Sequence, residues 1–388
     1  MRKSLIHPDR YLLLTVYYLL SIMTDFDLKM MGEALEEAFK GSPFTHPNPL
    51  VGCVLVKKGK IIARGHHALF GGPHAEVNAV KNSKMNVKGA SLYVTMEPCS
   101  TYGKTPPCTE LIVKSGIKKV FIGDLDPNPD HNGRALALLK KSGIETEAGL
   151  RREECRALNR AFYKNMKDNL PYITIKFAES VNGKIANHKG RSRWISCFDS
   201  QVESHKLRAE SDCVLAGINT VLKDNPSLNV RHSKFREQPY ACIMDPELKT
   251  PLTANIFKAG LRGVFIVTSA KNLASRKAEK YSDKAKLIGV KGNDGFLDVK
   301  EAVRKLYKHG VRHILVEGGG NTLGQFVYHG LFDRIFVYFA PLVIGDKNAI
   351  SSVIWPDNFK VDGLGLRLAI KNHKKIGEDL IIELGKAA

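Results

Sequence analysis

The chain has 388 residues, 43% hydrophobic and 25% charged, with seven cysteines and a formal net charge of +20. That length exceeds one compact core of common size and predicts two domains of roughly 150 to 220 residues, while the composition excludes a disordered or low-complexity chain. The charge points to an anionic partner such as nucleic acid, a membrane surface or a phosphorylated substrate. The lysines are scattered, however, as in "VKKGK" and "KNHKK", so most of the charge is expected on a solvated surface.

Residues 1–22 are set apart as an N-terminal extension. Its "YLLLTVYYLLSIM" is 13 residues long, short of the ~20 that a membrane span needs, and no small-residue cleavage site follows it. No membrane partner is expected. The odd cysteine count fits a reducing compartment, and a cytoplasmic location is expected.

From Thr24 a capping-box-like start opens a helix carrying Leu28, Met31, Leu35 and Phe39. "VGCVLV" and "KIIAR" predict a hairpin joined by "KKGK". Helices near 74–81, 106–115 and 133–142 then alternate with strands "SLYVT" and "KKVFIG". This pattern implies an α/β sandwich with helices on both sheet faces. Its domain is assigned to 23–150 and a charged linker helix to 151–170. A second α/β domain, 171–388, carries the runs "YITIKFA", "DCVLAG", "ACIMD", "GVFIVTS", "HILVEGG", "RIFVYFA" and "LIIEL".

The chemistry concentrates in "PHAEV" and "EPCSTYGKTPPC". His74, Cys99 and Cys108 supply one imidazole and two thiolates, leaving a fourth tetrahedral position for water, as catalytic zinc sites do. One Zn²⁺ per chain is expected, lowering the pKa of that water toward ~7. Glu76 is placed to take the water's proton and return it to a leaving amine. This is the H-x-E and P-C-x-x-C signature of zinc deaminases, except that eight residues separate the cysteines. Asn48, between two prolines, is either a turn residue or an amide facing the substrate. Cys53 is expected to be an inert core thiol, and His66 and His67 surface residues.

The stretch "THPNPLVGCVLV…PHAEV…EPCSTYGKTPPC…DPNP…GR" closely resembles the bifunctional riboflavin biosynthesis proteins, which fuse a pyrimidine deaminase to a reductase. The resemblance implies a cytidine-deaminase-like α/β/α sandwich followed by a dihydrofolate-reductase-like α/β domain. It also implies deamination of 2,5-diamino-6-ribosylamino-4(3H)-pyrimidinone 5′-phosphate, then reduction of the ribosyl group to ribityl by NADPH. Asn48 and Asp126 would line the deaminase pocket. In the second domain Ala178, Trp194, Ser196, Thr220, Asp224 and the segment Gly319, Gly320, Asn321, Thr322, Leu323, Gly324, Gln325 would border the cofactor. Ser192, Arg208, Leu228, Arg231 and Glu317 would border the substrate. Asn182 stands where the family usually has Asp in an S-x-D-G turn.

Without that resemblance, "RHILVEGGGNTL" is a strand, three glycines and a helix N-terminus, a site where backbone N–H groups can meet phosphates. Two rivals remain: a nucleic-acid base deaminase with a basic binding domain, and a deaminase whose reductase domain is inactive. The phosphorylated pyrimidine is the expected partner, with no nucleic acid bound and a homo-oligomer formed.

Overall fold

In a computed structural model, describing residues 24–42, 44–102, 106–190, 195–233, 235, 237–293, 295–355 and 365–387, helix α1 (Asp25–Phe39) starts from a closed capping box. The Thr24 side chain accepts the Asp27 N–H, and the Asp27 carboxylate accepts the Thr24 N–H. Met30, Met31, Ala34, Leu35 and Ala38 are buried, whereas Leu28 and Phe39 stay exposed. The extension 1–22 lies outside the described residues. No helix among those described is long and apolar enough to cross a membrane.

Two units divide the chain, the first ending at Lys167 and the second beginning at Asp168. In the first, β1 (Gly52–Lys57) and β2 (Lys60–His66) form the hairpin. Lys58 and Gly59, with φ of +51° and +73°, supply the two left-handed residues that a tight hairpin turn requires. There follow α2 (Ala75–Asn82), β3 (Ser91–Met96), α3 (Cys108–Lys114), β4 (Lys119–Asp124), α4 (Arg134–Lys141), β5 (Glu145–Ala148), α5 (Arg152–Leu158) and α6 (Arg160–Asp168). The sheet order is β2-β1-β3-β4-β5, parallel from β3 onward. Val54, Val56, Tyr93 and Phe121 pack with α1 on one face; Cys53, Leu55, Leu92, Val94, Val120 and Ile122 pack with α2, α3 and α4 on the other. Burial of both faces explains why these strands read as unbroken apolar runs. The short, polar β5, "ETEA", has no such signature.

The second unit comprises β6 (Tyr172–Ser180), β7 (Lys184–Ala186), α7 (Phe198–Ala209), β8 (Cys213–Gly217), α8 (Ile218–Asp224), β9 (Tyr240–Met244), β10 (Val264–Ser269), α9 (Arg276–Glu279) and β11 (Lys286–Val290). It continues with β12 (Gly292–Asn293), β13 (Phe296–Leu297), α10 (Val299–Lys308), β14 (His313–Val316), α11 (Gly320–Tyr328), β15 (Arg334–Ala340), β16 (Ile350–Ser351), β17 (Leu368–Ile376) and β18 (Asp379–Lys386). Its main sheet has the order β11-β10-β9-β8-β14-β6-β15-β18-β17, parallel up to β15 and antiparallel beyond. Alternate residues again feed two cores, with Cys213 and Leu215 on one face and Val214 and Ala216 on the other.

A buried polar contact fastens α1 to this first sheet: Tyr93 Oη donates to Asp27 Oδ1 at 2.6 Å. Burial alone would raise the Asp27 carboxyl, but hydrogen bonds from Thr24 and Tyr93 outweigh it and hold the group below its usual range. A depressed carboxyl stabilises the fold above its unfolded pKa, about 3.9, and that contribution is lost as pH falls through the folded value. Tyr93→Phe should therefore cost about 1–3 kcal/mol at neutral pH. In urea unfolding, the gap between variant and parent should narrow as the pH drops below about 4.

Candidate metal centre and cofactor cleft

Three chain segments meet at one point in the first unit. His74 is the residue before α2, in extended conformation and making no side-chain cap of its own. Pro107 occupies the same place ahead of α3, whose first residue is Cys108. Cys99 lies in the loop that leaves β3. His74 Nδ1 is 3.5 Å from Cys99 Sγ and 3.3 Å from Cys108 Sγ, and the Cys108 N–H donates to Cys99 Sγ at 3.2 Å. The three candidate ligand atoms all lie within 4.8 Å of one another.

The electrostatics of this cluster call for a cation. The Cys99 thiol falls to about 4, chiefly because Cys108 donates to it and with help from His74. Cys108, facing that thiolate and buried, is pushed far up. The pair thus competes over one proton, whereas a bound divalent metal takes both sulfurs deprotonated. One nitrogen, two sulfurs and an open fourth position suit catalytic zinc. Glu76 sits in the first turn of α2 and is 3% exposed. Burial lifts its carboxyl above the usual range, which suits a group that must both take and give a proton.

Asn48 is oriented by a residue expected at the surface. His67 is buried, with Nδ1 3.0 Å from the Pro73 carbonyl and Nε2 3.3 Å from Asn48 Nδ2. Because a carbonyl only accepts, Nδ1 carries the proton and Nε2 accepts from the Asn48 amide. Burial, the largest influence, pushes this imidazole's pKa below its usual value. With Nδ2 engaged by His67, the other end of the amide, Asn48 Oδ1, can only accept a hydrogen bond. His66 is half-buried and pairs with Glu37 at 2.8 Å; Cys53 is fully buried.

Asp126 is held on a loop by Glu97, which sequence inspection passed over. The buried Glu97 carboxylate accepts the N–H groups of Asp126 at 3.2 Å, Gly133 at 2.9 Å and Ala135 at 2.9 Å. It thereby caps α4, whose own N-cap is a side-chain-less glycine. An acid two residues before a cysteine ligand was the available signal. Burial raises the Asp126 carboxyl.

In the second unit a cleft of about 420 Å³ opens at the carboxyl ends of β8, β9 and β14, where open α/β sheets bind ligands. Thr220, Asp224, Gly319, Gly320, Asn321, Thr322 and Gln325 line it. Leu323 instead points into the core, and Gly324 is pressed against the Ile354 backbone. Ala178 in β6 and Ser196 ahead of α7 are not among the lining residues. Trp194 and Ser192 lie outside the described residues.

The glycine run separates into packing and cradle. A Cβ on Gly318 would come within 2.7 Å of Thr322, and one on Gly320 within 2.6 Å of the Ser351 carbonyl. On Gly319 it would meet only Thr220 Oγ1 at 3.6 Å. No protein atom therefore forbids a side chain at Gly319, and the space left open faces the cleft at the N-terminus of α11. That cradle fits a dinucleotide phosphate.

Beside the cleft, Arg208 grips Glu317 in a bidentate pair, Nε to Oε1 at 2.9 Å and Nη2 to Oε2 at 2.6 Å, and donates to the Asn229 carbonyl at 3.0 Å. Burial opposes the Glu317 charge, but Arg208 wins and keeps it below the usual carboxylate range. Lys176 is half-buried within electrostatic reach of both, its ammonium pushed down by desolvation. It opens the "KFAES" segment, yet no role had been read for it. Arg231 is exposed and donates to Asn229 Oδ1 at 2.6 Å. Leu228, at φ +52°, turns its side chain into the core. Asn182 uses both ends of its amide on Ile344, donating to its carbonyl at 2.9 Å and accepting its N–H at 3.1 Å. An aspartate there would lack the donor.

Residues 24–124 match the cytidine and deoxycytidylate deaminase zinc-binding region, and residues 171–382 match the RibD C-terminal domain. The riboflavin biosynthesis protein RibD of Aquifex aeolicus is 40% identical over 93% of this chain and 99% of its own length. That of Escherichia coli is 35% identical over 81% of this chain and 88% of its own. The solved structure of Acinetobacter baumannii RibD aligns with a TM-score of 0.82 at 32% identity, covering 94% of this chain and 99% of that one. A Thermotoga maritima diaminohydroxyphosphoribosylaminopyrimidine deaminase/5-amino-6-(5-phosphoribosylamino)uracil reductase gives 0.79 at 31% identity, covering 93% and 99%. A nucleic-acid base deaminase is disfavoured, since the basic second half matches the RibD C-terminal domain. With a zinc-type deaminase domain and an NADPH-dependent reductase domain on one polypeptide, the chain belongs to the riboflavin biosynthesis protein RibD family.

Proposed function

We propose that this protein carries out two consecutive steps of riboflavin biosynthesis. Its first unit hydrolyses the ring amine of 2,5-diamino-6-ribosylamino-4(3H)-pyrimidinone 5′-phosphate, releasing ammonia. Its second reduces the ribosyl side chain of the deaminated product to ribityl. The observation that carries this is the convergence of His74, Cys99 and Cys108 within 4.8 Å, next to a buried Glu76.

Bound zinc supplies a Lewis acid that brings the pKa of a coordinated water toward ~7. Glu76 takes a proton as water adds to the amine-bearing ring carbon, then gives one to the departing nitrogen as the C–N bond breaks. Asn48 Oδ1 accepts from a ring N–H or amino group, and Asp126 borders the opposite wall. In the second unit NADPH supplies hydride. Gly319 and the α11 N-terminus receive its phosphates, while Glu317, held ionised by Arg208, and Lys176 address the polar ribosyl group. Asn182 ties a turn to the loop at Ile344, a structural task that leaves the reductase intact. Seven cysteines, none of them in a disulfide, support a cytoplasmic location. Exposed Leu342, Val343 and Ile370 support a homo-oligomer, which light scattering would test.

The central test is NADPH oxidation that depends on the diaminopyrimidine substrate, run beside an assay fed the deaminated intermediate. No NADPH consumption in either assay would refute the reductase assignment. Glu76→Gln should retain zinc by metal analysis and lose deamination by roughly 10²–10⁴-fold, while reduction of supplied intermediate survives. Gly319→Ala, which meets no clash, should raise the KM for NADPH by about tenfold, the equivalent of ~1.4 kcal/mol, with deamination unchanged.

A further inference from the structure

We propose that the helix pair α5–α6 is a buckle for the deaminase pocket, with Asn159 and Tyr163 acting as positioning residues for the loops that carry Asn48 and Asp126. This segment falls between the two family matches, which stop at 124 and resume at 171, and its sequence reads as a charged linker. The proposal rests on Asn48 and Asp126 bordering the substrate.

Asn159 interrupts the helices, with φ −118° and ψ 28°, and is 5% exposed. Its amide spans 109 residues of sequence to Leu50. Nδ2 donates to the Leu50 carbonyl at 2.9 Å, and Oδ1 accepts the Leu50 N–H at 2.8 Å. Both backbone polar groups of Leu50, two residues past Asn48, are thereby fixed by one side chain. The Asn159 carbonyl in turn accepts the Tyr163 N–H at 3.0 Å, which places Tyr163 one turn further along α6. Tyr163 Oη donates to the Leu125 carbonyl at 3.1 Å, beside Asp126. Between them Arg156 Nε donates to Asp124 Oδ2 at 3.0 Å and lies 5.4 Å from the Tyr163 ring. Cys155 and Leu158 anchor the segment in the core shared with Met31, Val54 and Phe121.

A tether between domains has no use for a buried amide that satisfies a distant loop completely. Two such contacts, one turn apart, set the spacing between Asn48 and Asp126. A displacement of about 1 Å at a reacting centre can cost 10²-fold in rate.

The experiment uses the full-length, zinc-loaded protein with Asn159→Ala, Asn48→Ala and their double variant. Readouts are deaminase kcat and KM, zinc content, and NADPH-dependent reduction of supplied intermediate. Asn159→Ala should lower deaminase kcat/KM by about 10- to 100-fold, more through KM than kcat, with zinc and reduction unchanged. Added to Asn48→Ala it should do little more, because residues acting through one another are not additive. Tyr163→Phe, which removes a single hydroxyl, should give a smaller loss that Asp126→Asn absorbs. Losses that multiply in both double variants, or zinc lost in step with activity, overturn the buckle. If Asn48→Ala leaves deamination untouched, the Asn48 assignment falls. The buckle then holds only if Asp126→Asn absorbs the Tyr163→Phe loss.

Discussion

The convergence of His74, Cys99 and Cys108, whose candidate ligand atoms all lie within 4.8 Å of one another, is the constraint around which the first unit is arranged. Two sulfurs in one such cluster, Cys108 buried and Cys99 half-buried, are a liability without a cation. The fold brings them together all the same, by ending β3 and starting α2 and α3 at the same spot. The two helix N-termini aim partial positive charge at the site and favour thiolate there. Metal binding of this kind contributes to folding as well as to chemistry, so the polypeptide gains stability from the group that makes it a catalyst.

The second unit solves a related problem without metal. Glu317 carries its carboxylate in a half-buried setting, and the planar fork of Arg208 matches both carboxylate oxygens at once, a geometry that lysine could not supply. Lys176 then experiences one carboxylate and one guanidinium, and burial makes it the more easily deprotonated cation of the group. The cleft beside them is shaped by glycines of two kinds. Gly318 and Gly320 let strand and helix approach each other, while Gly319 leaves room for something that is not protein.

Much of this was legible in the residue order. The capping box at Thr24 to Asp27, the Lys58-Gly59 hairpin turn and the alternation of strand and helix depend on local chemistry and appear as expected. The three candidate ligands stood out in the sequence because proline precedes each cysteine and the H-x-E spacing is unusual, and the structure brings them together. His67 was expected at the surface and is buried instead, because its burial comes from a loop folding back on Pro73, which local sequence does not reveal. Glu97 and Asn159 escaped notice for the same reason: their partners are backbone groups tens of residues away, and a backbone group leaves no mark on the sequence. Strands β5 and β17 were missed because edge strands with a wet face carry polar residues in place of an apolar run.

That last strand also accounts for part of the surplus of lysine. β17 ends the nine-stranded sheet, pairs only with β18 among the described residues, and carries Lys371, Lys374 and Lys375 on an exposed ribbon beside the apolar Ile370. An unguarded edge of that length would be a template for another chain's strand, and rows of lysine are a common means of preventing such addition. The guard is electrostatic, so its reach shrinks with the Debye length, from about 8 Å at physiological salt to about 3 Å at 1 M. Lys374 is already paired with Glu203 at 2.6 Å, so Lys371 and Lys375 are left as the strand's salt-sensitive guard.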